Sequence, residues 1–530
     1  MQKQLTLSVS PEMAADENLL KQCVRDELGL KTDSVLTVKL RKRSVDSRSR
    51  KIRVNLSIEV FIDEVPDPVN FPYPYRDADP TNSVAIIGAG PAGLFAALKL
   101  LEHGIRPVIF ERGKDVRARR RDLASINKEH VVNPESNYCF GEGGAGTYSD
   151  GKLYTRSNKR GDVQEILNVF IAHGASEEIA IDAHPHIGTN KLPAIIVKMR
   201  ETILRHGGEI HFNAKLTDFQ IKNKIVEGID VFHLEKNQTI LYSFKQIIVA
   251  TGHSARDIYE LFQSKNLKLE AKPFALGVRI EHPQSVIDSA QYHCNTIVEL
   301  NKIRQYLPAA SYSLAHQFNG RGVYSFCMCP GGIIAPCATA QDEVVTNGWS
   351  PSRRNNPFAN SGMVVAVGES DFAPFSKARE LSGLRFQQLV EQKAWEAGGK
   401  TQTAPAQRLI DFINKKTSSD LPQCSYQPGI TSVQLNEVLG NELTRALREG
   451  LSVFGKKMRS YLTNEAVLVA TESRTSTPVR IPRDPQTLMH IDAEGLYPCG
   501  EGAGYAGGIM SAAMDGQKVA NAIVSLLHCG

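Results

Sequence analysis

The chain has 530 residues, of which 42% are hydrophobic, 22% charged and 7% aromatic. These values are close to those of average globular proteins, so general disorder and a fibrous repeat are excluded. At roughly 100–200 residues per domain, about three domains are expected. The 62 basic and 57 acidic residues give a net charge of only +5, which by itself does not indicate a nucleic-acid-binding protein.

The first 64 residues have the pattern of a small α+β domain. Alternating apolar and polar residues predict strands, and a helical spacing that stops near Gly29 predicts one helix. The predicted elements are a strand over 4–9, a helix over 16–28, and strands over 35–41 and 51–61. This is a β-α-β-β unit, and the proline-rich residues 65–80 that follow it are typical of a stiff linker.

Three separate stretches share one texture, a short apolar strand followed by a glycine turn. They lie at 83–112, 246–252 and 496–527, whereas the residues between them at 255–485 mix strands, helices and loops without a period. The pattern predicts one α/β domain of Rossmann type in two pieces, 81–254 and 486–530, interrupted by a mixed insertion domain at 255–485. The chain as a whole is then α+β.

A dinucleotide fingerprint carries most of the functional signal. Gly88, Gly90 and Gly93 fit G-x-G-x-x-G, follow the apolar strand VAII and open a helix, and Glu111 ends the next strand. In this context the glycines permit a tight turn and a close backbone approach to a pyrophosphate at the helix N-terminus. Glu111 is then placed to accept hydrogen bonds from ribose hydroxyls.

Three signatures identify the dinucleotide by resemblance. The segment Glu111-Arg112-Gly113, the strand ending in Ala250-Thr251-Gly252, and the segment 495–509 resemble the FAD-binding glutathione-reductase-like superfamily. The segments at 140–153, 185–189, 329–332 and 474–484 are similar to a family of bacterial FAD-dependent dehydrogenases. The superfamily usually has Asp where this chain has Glu501.

The resemblance implies FAD as cofactor and a set of contact residues. These are Gly88, Gly90, Pro91, Ala92, Gly93, Glu111, Arg112, Gly144, Asp150, Lys152, Leu216, Ala250, Thr251, Gly252, Gly500, Glu501, Gly508 and Ile509. The glycine-rich loop 143–152 is expected to cross the cofactor, with Ser149, Asp150 and Lys152 reaching the flavin edge. The alternative for Lys152 is a loop lysine that touches only phosphate.

The candidate catalytic residues are Lys152, Ser149, Cys329 and His186. His186 follows His184-Pro and suits proton transfer, but such a pair more often caps a turn. Cys327-Met-Cys329, on a strand, would put both cysteines on one face about 6.6 Å apart, which favours buried structural residues over a disulfide. A zinc site lacks further ligands at suitable spacing, so no metal is expected.

Two groups of basic residues leave alternatives open. Arg474, Arg480 and Arg483 could clamp an anionic substrate or form ion pairs between domains. The basic runs at 39–53 and 112–121 could bind RNA, but no aromatic residues accompany them, so a solvated basic face is favoured and nucleic acid is not an expected partner.

These features predict an FAD-dependent oxidoreductase that transfers hydride between a small-molecule substrate and flavin N5. NAD(P)H as a transient electron donor, with no Rossmann domain of its own, and a separate redox partner both stay open. The alternatives are a flavin-dependent RNA-modification enzyme and a non-catalytic FAD-binding redox regulator.

The location of the protein is predicted from its cysteines and its N-terminus. The nine cysteines are scattered and too sparse for a disulfide framework, which favours a reducing compartment. The first residues lack the signature of a secretion signal. The uncharged stretch 81–98 contains glycines and a proline that favour a turn over a membrane helix. We therefore expect a cytoplasmic protein without a membrane partner.

Overall fold

The computed structural model describes residues 1–31, 34–65, 73–154 and 161–529. The N-terminal unit consists of β1 (Gln2–Val9), α1 (Pro11–Ala15), α2 (Glu17–Leu28), β2 (Leu36–Asp46) and β3 (Arg53–Ile62). Its antiparallel sheet has the order β1-β3-β2, with the long buried strand β3 in the centre. The predicted β-α-β-β order is observed, with one extra short helix, and α2 ends at Gly29 in the left-handed region.

The next part of the chain forms most of the predicted α/β domain. Its elements are β4 (Asp79–Ile87), α3 (Pro91–Glu102), β5 (Ile105–Phe110), α4 (Val116–Glu129), a 3₁₀ turn (Gly144–Gly146), α5 (Val163–Ala172), a 3₁₀ turn (Glu177–Ala180), α6 (Leu192–Arg205), β6 (Glu209–His211), β7 (Ala214–Lys222), β8 (Ile225–His233), β9 (Gln238–Ser243), β10 (Ile247–Val249) and α7 (Arg256–Ser264).

The insertion follows, and the chain then returns to the α/β domain. The elements are β11 (Glu270–Ala271), β12 (Phe274–Pro283), α8 (Gln284–Gln291), α9 (Ile297–Ile303), β13 (Ala315–Phe318), β14 (Arg321–Cys329), β15 (Ile333–Pro336), β16 (Thr346–Trp349), β17 (Phe358–Val367), α10 (Glu369–Phe372), a 3₁₀ segment (Ala373–Leu381), α11 (Ser382–Ala397), β18 (Ala404–Arg408), α12 (Leu409–Ile413), β19 (Ile430–Ser432), α13 (Leu435–Leu439), α14 (Asn441–Lys457), β20 (Val467–Glu472), β21 (Val479–Arg480), β22 (Leu496–Pro498) and α15 (Ile509–Cys529).

A five-stranded parallel sheet is the frame of the α/β domain. Its order is β22-β10-β4-β5-β6, so the three stretches of similar texture meet as neighbours in one sheet. All three residues of β10 are buried, as expected for a central parallel strand. Helices α3 and α15 pack together against this sheet. The mixed α/β fold class is therefore as predicted.

The apolar residues near 240–250 predict one strand, but the structure has two strands there, in different sheets. β9 belongs to the antiparallel sheet β7-β8-β9, whereas β10 belongs to the parallel sheet. The chain changes sheets between Ser243 and Ile247, across the polar residues Lys245 and Gln246. β9 is largely exposed, whereas β10 is fully buried, and apolar periodicity alone does not show which strands pair with each of them.

The insertion is built on a seven-stranded, mostly antiparallel sheet. Its order is β13-β14-β17-β12-β20-β18-β19, and it spans Phe274 to Glu472. Helix α7 lies within the predicted insertion, 255–485, but its residues Ile258 and Phe262 share a core with β10 of the α/β domain. The sheet of the insertion is thus shorter than the predicted domain.

The structure describes only part of the predicted linker, 65–80. Its residues 66–72 lie outside the described residues. Tyr73 and Tyr75 pack against the core of the α/β domain, and β4 begins at Asp79, inside the predicted linker. Across the described ranges, no helix combines the length and the apolar character needed to span a membrane.

Candidate cofactor-binding site

The turn between β4 and α3 is shaped by three glycines. Gly88 has φ 105°, and a Cβ there would lie 2.5 Å from the carbonyl oxygen of Ala250 at the end of β10. A Cβ at Gly93 would lie 2.0 Å from the Gly88 carbonyl oxygen, so helix and turn touch. Gly90 caps α3 without a side-chain hydrogen bond, which leaves the first helical N–H groups available to a phosphate.

Glu111 is held rigidly beside this turn. One carboxylate oxygen accepts the N–H of Ala89 at 2.8 Å, and the other accepts the N–H groups of Gly113 and Gly141, both at 2.9 Å. A carboxylate offers about four acceptor positions, so three backbone donors fix its orientation and leave little more than one for a ribose hydroxyl. Glu111 is 5% exposed and faces a cavity.

That cavity, called here the principal cavity, is enclosed by segments distant in the chain. Its walls enclose about 1470 Å³ of space, part of it open to solvent. The predicted cofactor residues that line it are Gly88, Gly90, Pro91, Ala92, Glu111, Arg112, Gly144, Asp150, Lys152, Leu216, Ala250, Thr251, Gly252, Glu501, Gly508 and Ile509. Gly93 and Gly500 do not line it. Both have packing roles, since a Cβ at Gly500 would lie 2.9 Å from the Cβ of Ala92.

The C-terminal segment closes one side of the principal cavity. Gly507 and Gly508 precede α15, and a Cβ at either glycine, or at Gly252, would meet no atom of the described chain within 4 Å. Glu501 lies in the same wall. Burial raises the pKa of Glu501 to about 7, although the charge of Lys272 opposes this shift.

Arg112 is committed to ion pairs within the protein. Its Nε donates to Glu135 at 2.8 Å, and its two terminal nitrogens bind Asp257. Its guanidinium also lies 4.5 Å from the ring centroid of Phe140. Arg112 therefore contributes a fixed charge and a flat surface to the cavity wall.

Lys152 projects from the glycine-rich loop into a charged cluster. Its Nζ lies 3.4 Å from Asp150 Oδ2, 3.4 Å from Cys327 Sγ and 3.3 Å from Cys329 Sγ. Arg354 also binds Asp150, at 3.2 Å. Burial alone would raise the pKa of Asp150, but Lys152 and Arg354 lower it below its ordinary value, so the carboxylate is charged.

The sequence predicts that Cys327 and Cys329 lie on a regular strand, but the strand is irregular at this point. β14 carries a bulge between Phe326 and Cys329, and Cys327 has φ 45° in the left-handed region. The bulge brings both sulfurs to one lysine, and the Cys329 thiol donates to the Cys327 carbonyl oxygen at 3.3 Å. Within the described ranges, no group of three or more His, Cys, Asp or Glu side chains is arranged to hold a metal ion.

Of the remaining catalytic candidates, Ser149, His186 and Cys329, only Ser149 lines the principal cavity. Its hydroxyl, however, donates to the Gly146 carbonyl oxygen at 2.7 Å and so stabilises the loop. His186 is not in the wall, and its Nε2 lies 3.1 Å from the Ser352 carbonyl oxygen. Burial lowers the pKa of His186, so it is neutral near pH 7. Cys329 is fully buried.

The arginines at 474–483 form ion pairs, of which that of Arg483 joins the predicted domains and those of Arg474 stay within the insertion. Arg474 lines the principal cavity, but its Nη2 binds Glu391 at 2.9 Å and Glu343 at 3.1 Å. Arg483 binds Asp515 at 2.6 Å. Arg480 is half exposed and lies over the ring of Tyr505.

Some wall residues were not singled out from the sequence. His253, Asn347 and Thr475 line the principal cavity together with Cys327, which the sequence analysis had named only as one of a cysteine pair. His253 could have been found, since it directly follows Thr251-Gly252. Asn347 and Thr475 come from the insertion, and the sequence does not indicate which of its strands faces the α/β domain.

A smaller recess adjoins the principal cavity and shares part of its wall. The shared residues are Cys139, Ala145, Ser149, His253, Asn347 and Arg474. The rest of this side recess is lined mainly by aromatic and small apolar residues, together with Glu472. Two rings, Tyr138 and Tyr148, come from the α/β domain, and Trp349 comes from the insertion.

The residues around the principal cavity fit FAD. Glycines at 252, 507 and 508 leave room where any side chain would project into space, and Gly90 exposes a helix N-terminus suited to a diphosphate. Glu111 supplies a fixed carboxylate, and Leu216 supplies an apolar surface on the same wall. FAD offers the diphosphate, ribose and adenine that these groups would bind.

Matches to two protein-family models agree with this fit. Residues 81–128 match an FAD binding domain, residues 273–475 match an FAD-dependent protein, C-terminal domain-like, and residues 1–61 match a domain of unknown function. Among solved structures, the chain is similar to a flavoprotein/dehydrogenase from Cytophaga hutchinsonii, with 12% identity over 84% of this chain and 79% of that chain and a TM-score of 0.38. It is also similar to a geranylgeranyl bacteriochlorophyll reductase-like protein from Thermoplasma acidophilum, with 11% identity, the same coverage and a TM-score of 0.36.

A relative from Clostridium beijerinckii, described as an uncharacterized protein, is much more similar. It is 39% identical over 529 residues, which are 96% of each chain. The match includes the N-terminal unit, the insertion and both pieces of the α/β domain. The chain therefore belongs to the same family as the Clostridium beijerinckii protein, a family of FAD-dependent proteins.

Proposed function

We propose that the protein is an FAD-dependent oxidoreductase that transfers hydride between a small-molecule substrate and N5 of the flavin. The observation that carries the proposal is the pair of adjoining spaces, a principal cavity that fits FAD and a side recess that shares its wall. When bound, FAD would supply the hydride-accepting and hydride-donating ring. The protein supplies the binding, the orientation and the surrounding charge.

Different residues of the principal cavity have different roles in this proposal. The N-terminus of α3 binds the diphosphate, and Glu111 orients the adenosine ribose. Lys152 places a positive charge in the cavity wall. Such a charge stabilises negative charge that develops on the reduced ring.

The side recess is the proposed substrate site. Its aromatic walls favour a flat or apolar substrate, because rings bury large apolar areas. Thr346 Oγ1 and Trp349 Nε1 are buried there, and neither has a hydrogen-bond partner among the described residues. Both atoms have almost no accessible surface, so a substrate with a hydrogen-bonding group would satisfy them only where the recess opens around it.

Two observations bear on electron supply and on the RNA alternative. The insertion sheet carries no second glycine fingerprint, so NAD(P)H would have to reach the flavin by brief stacking. In the basic N-terminal unit, Arg41 pairs with Glu59, and Arg43 pairs with Asp182 of the α/β domain. These cations are used within the protein, so the small-molecule reaction is the better supported proposal.

The test is anaerobic absorbance of the purified, FAD-loaded protein on mixing with NADPH or NADH. Rapid bleaching of the flavin would support a reductase with a nicotinamide donor. Bleaching only by a candidate organic substrate would support the dehydrogenase direction. Protein that neither retains nor takes up FAD would contradict the proposal.

Replacement of Gly507 by Val provides a structural test of the cofactor site. The Val side chain would enter the principal cavity without meeting protein atoms of the described chain, so we expect unchanged thermal stability of the apoprotein and at least about tenfold weaker FAD binding, near 1.4 kcal/mol. The matched control is Gly368→Val, because Gly368 has equally open surroundings away from the cavity. Equal FAD affinity in both variants would contradict the assignment.

A further inference from the structure

Two neighbouring cysteines beside the principal cavity have no part in the proposed hydride transfer. Cys327 lines the cavity, as do Lys152, Gly508 and Ile509. Cys329 is fully buried and does not line the cavity. One ammonium group, Lys152 Nζ, is 3.4 Å from the first sulfur and 3.3 Å from the second.

A second cation supports the same pair of residues from the opposite side. Arg279 is fully buried in β12, and its Nη2 donates to the Cys327 carbonyl oxygen at 2.7 Å and lies 3.5 Å from Cys329 Sγ. Two carboxylates also face the cluster. Asp150 binds Lys152, and Glu472 binds Arg279 at 3.0 Å.

The surroundings favour the thiolate form of Cys327. The neighbouring Cys329 thiol and the charges of Lys152 and Arg279 lower the pKa of Cys327 well below its ordinary value, although burial and Asp150 oppose this. The pKa of Cys329 is raised, mainly by burial. One thiolate beside one thiol is the arrangement in which a nucleophilic sulfur and a resolving sulfur are distinguished.

The other buried cysteines lack this character. Cys499 in the α/β domain and Cys337 in the insertion are buried, and both have a pKa well above the ordinary value because burial disfavours their charged forms. Neither lines the principal cavity. A structural role explains these two residues, but it does not explain a bulge that presents Cys327 to the cavity beside a lysine.

We propose that Cys327 and Cys329 are a redox-active thiol pair that exchanges two electrons with FAD bound in the principal cavity. The proposal rests on the proposed binding of FAD. Oxidation of this thiolate–thiol pair forms one S–S bond and releases one proton and two electrons, which bound FAD would take up to give FADH⁻. In the reverse direction the S–S bond takes up one proton and two electrons and returns to one thiolate and one thiol. The chemical class of external substrate is then a thiol or a disulfide that exchanges with Cys327.

The decisive measurement counts electrons. FAD-loaded protein is oxidised with diamide, desalted and titrated with dithionite without oxygen. We expect the wild type to take up four electrons per FAD, two for the S–S bond and two for the flavin. Cys327→Ser and Cys329→Ser should each take up only two. The control Cys23→Ser, in the N-terminal unit, should match the wild type.

A second measurement on unmutated protein guards against variants that fail to fold. Denatured, unreduced protein is alkylated, digested with trypsin and fragmented by mass spectrometry. We expect Cys327 and Cys329 to escape alkylation in the oxidised protein and to be alkylated after dithionite. FAD-loaded protein that takes up two electrons and alkylates at both residues in every state would overturn this proposal alone. Protein without FAD would overturn the proposed function as well.

Discussion

Glu501 shows how one wall residue couples the site to pH. The superfamily that the sequence resembles usually has Asp at this position, and Glu has the longer side chain. Glu501 lies in the cavity wall and directly follows the buried residues 495–500. Burial raises its pKa from 4.5 to about 7 in the protein without FAD. The folded protein therefore holds this proton over a range in which the unfolded chain has released it.

This difference predicts that the unfolding free energy of the apoprotein contains a pH-dependent part due to Glu501. As pH rises from about 4.5 to about 7, the unfolded chain binds fewer protons than the folded one, so stability falls, by up to about 3 kcal/mol. In Glu501→Gln this part is absent. Relative to the wild type, the variant should gain stability between pH 5 and pH 8.

The measurement is denaturant unfolding of both proteins at pH 5, 6, 7 and 8, with the exposed Glu449→Gln on α14 as control. Only the difference between wild type and variant is compared, so other titrating groups cancel. A difference that is constant with pH would show that Glu501 is ionised throughout.

The sequence predicted residues well where the signal is local. Gly88, Gly90 and Glu111 were placed correctly around one turn because their geometry depends on a few neighbouring residues. The bulge at Cys327 was not predictable, because its left-handed backbone is supported by Arg279 and Lys152 from distant segments. His253 gave no signal beyond its position after a known motif.

At the scale of elements, α3 and α15 pack closely in the α/β domain. A Cβ at Gly516 of α15 would lie 2.1 Å from the carbonyl oxygen of Ala92 in α3, so the two backbones touch. Both helices begin at the principal cavity, α3 at the glycine turn and α15 at Ile509. Their packing therefore sets the distance between two walls of the cofactor site.

We expect Gly516→Ala to separate these helices. The added methyl group must displace backbone, which in a packed core costs about 1–3 kcal/mol of unfolding free energy. Because the same shift moves Gly508 and Ile509, FAD affinity should fall as well. Thermal unfolding and FAD titration check both effects, with the exposed Asn521→Ala on α15 as control. Unchanged stability and affinity would mean that the helices are farther apart than the structure shows.

Elements were predicted best where strand and helix alternate with a glycine turn between them. The order β4, α3, β5 followed directly from the apolar runs and Gly88 to Gly93. The division of 240–250 into β9 and β10 was missed, because strand pairing partners are set by the fold and not by apolar periodicity. For the same reason the order of the seven strands in the insertion could not be predicted.

At the scale of the whole molecule, a buried network of four charges joins the insertion to the α/β domain. Arg256 on α7 binds Glu343 and Glu391, and Arg474 binds the same two carboxylates. Glu343 and Glu391 are fully buried. Charges in such a setting are stable only while each is paired.

Glu391→Gln would leave two buried arginines sharing one carboxylate. We expect a loss of about 3–5 kcal/mol in unfolding free energy, since removal of one partner leaves an uncompensated buried charge. The control Glu260→Gln breaks an exposed pair with Arg385 that joins the same two helices, α7 and α11, and should cost at most about 1 kcal/mol. Thermal unfolding of both variants distinguishes the two cases. Similar losses would mean that the network contributes no more than a surface pair.

The order of strands in the parallel sheet also dictates when the site can exist. On the ribosome, β4 and β10 emerge long before β22, so β10 keeps one unpaired edge while the whole insertion is synthesised. An unpaired strand edge can pair with other chains, and the insertion is the part of this chain available to cover the edge of β10 during synthesis. Gly508 and Ile509 emerge later still. We therefore expect that the nascent chain does not bind FAD and that FAD binds only after synthesis of the chain is complete.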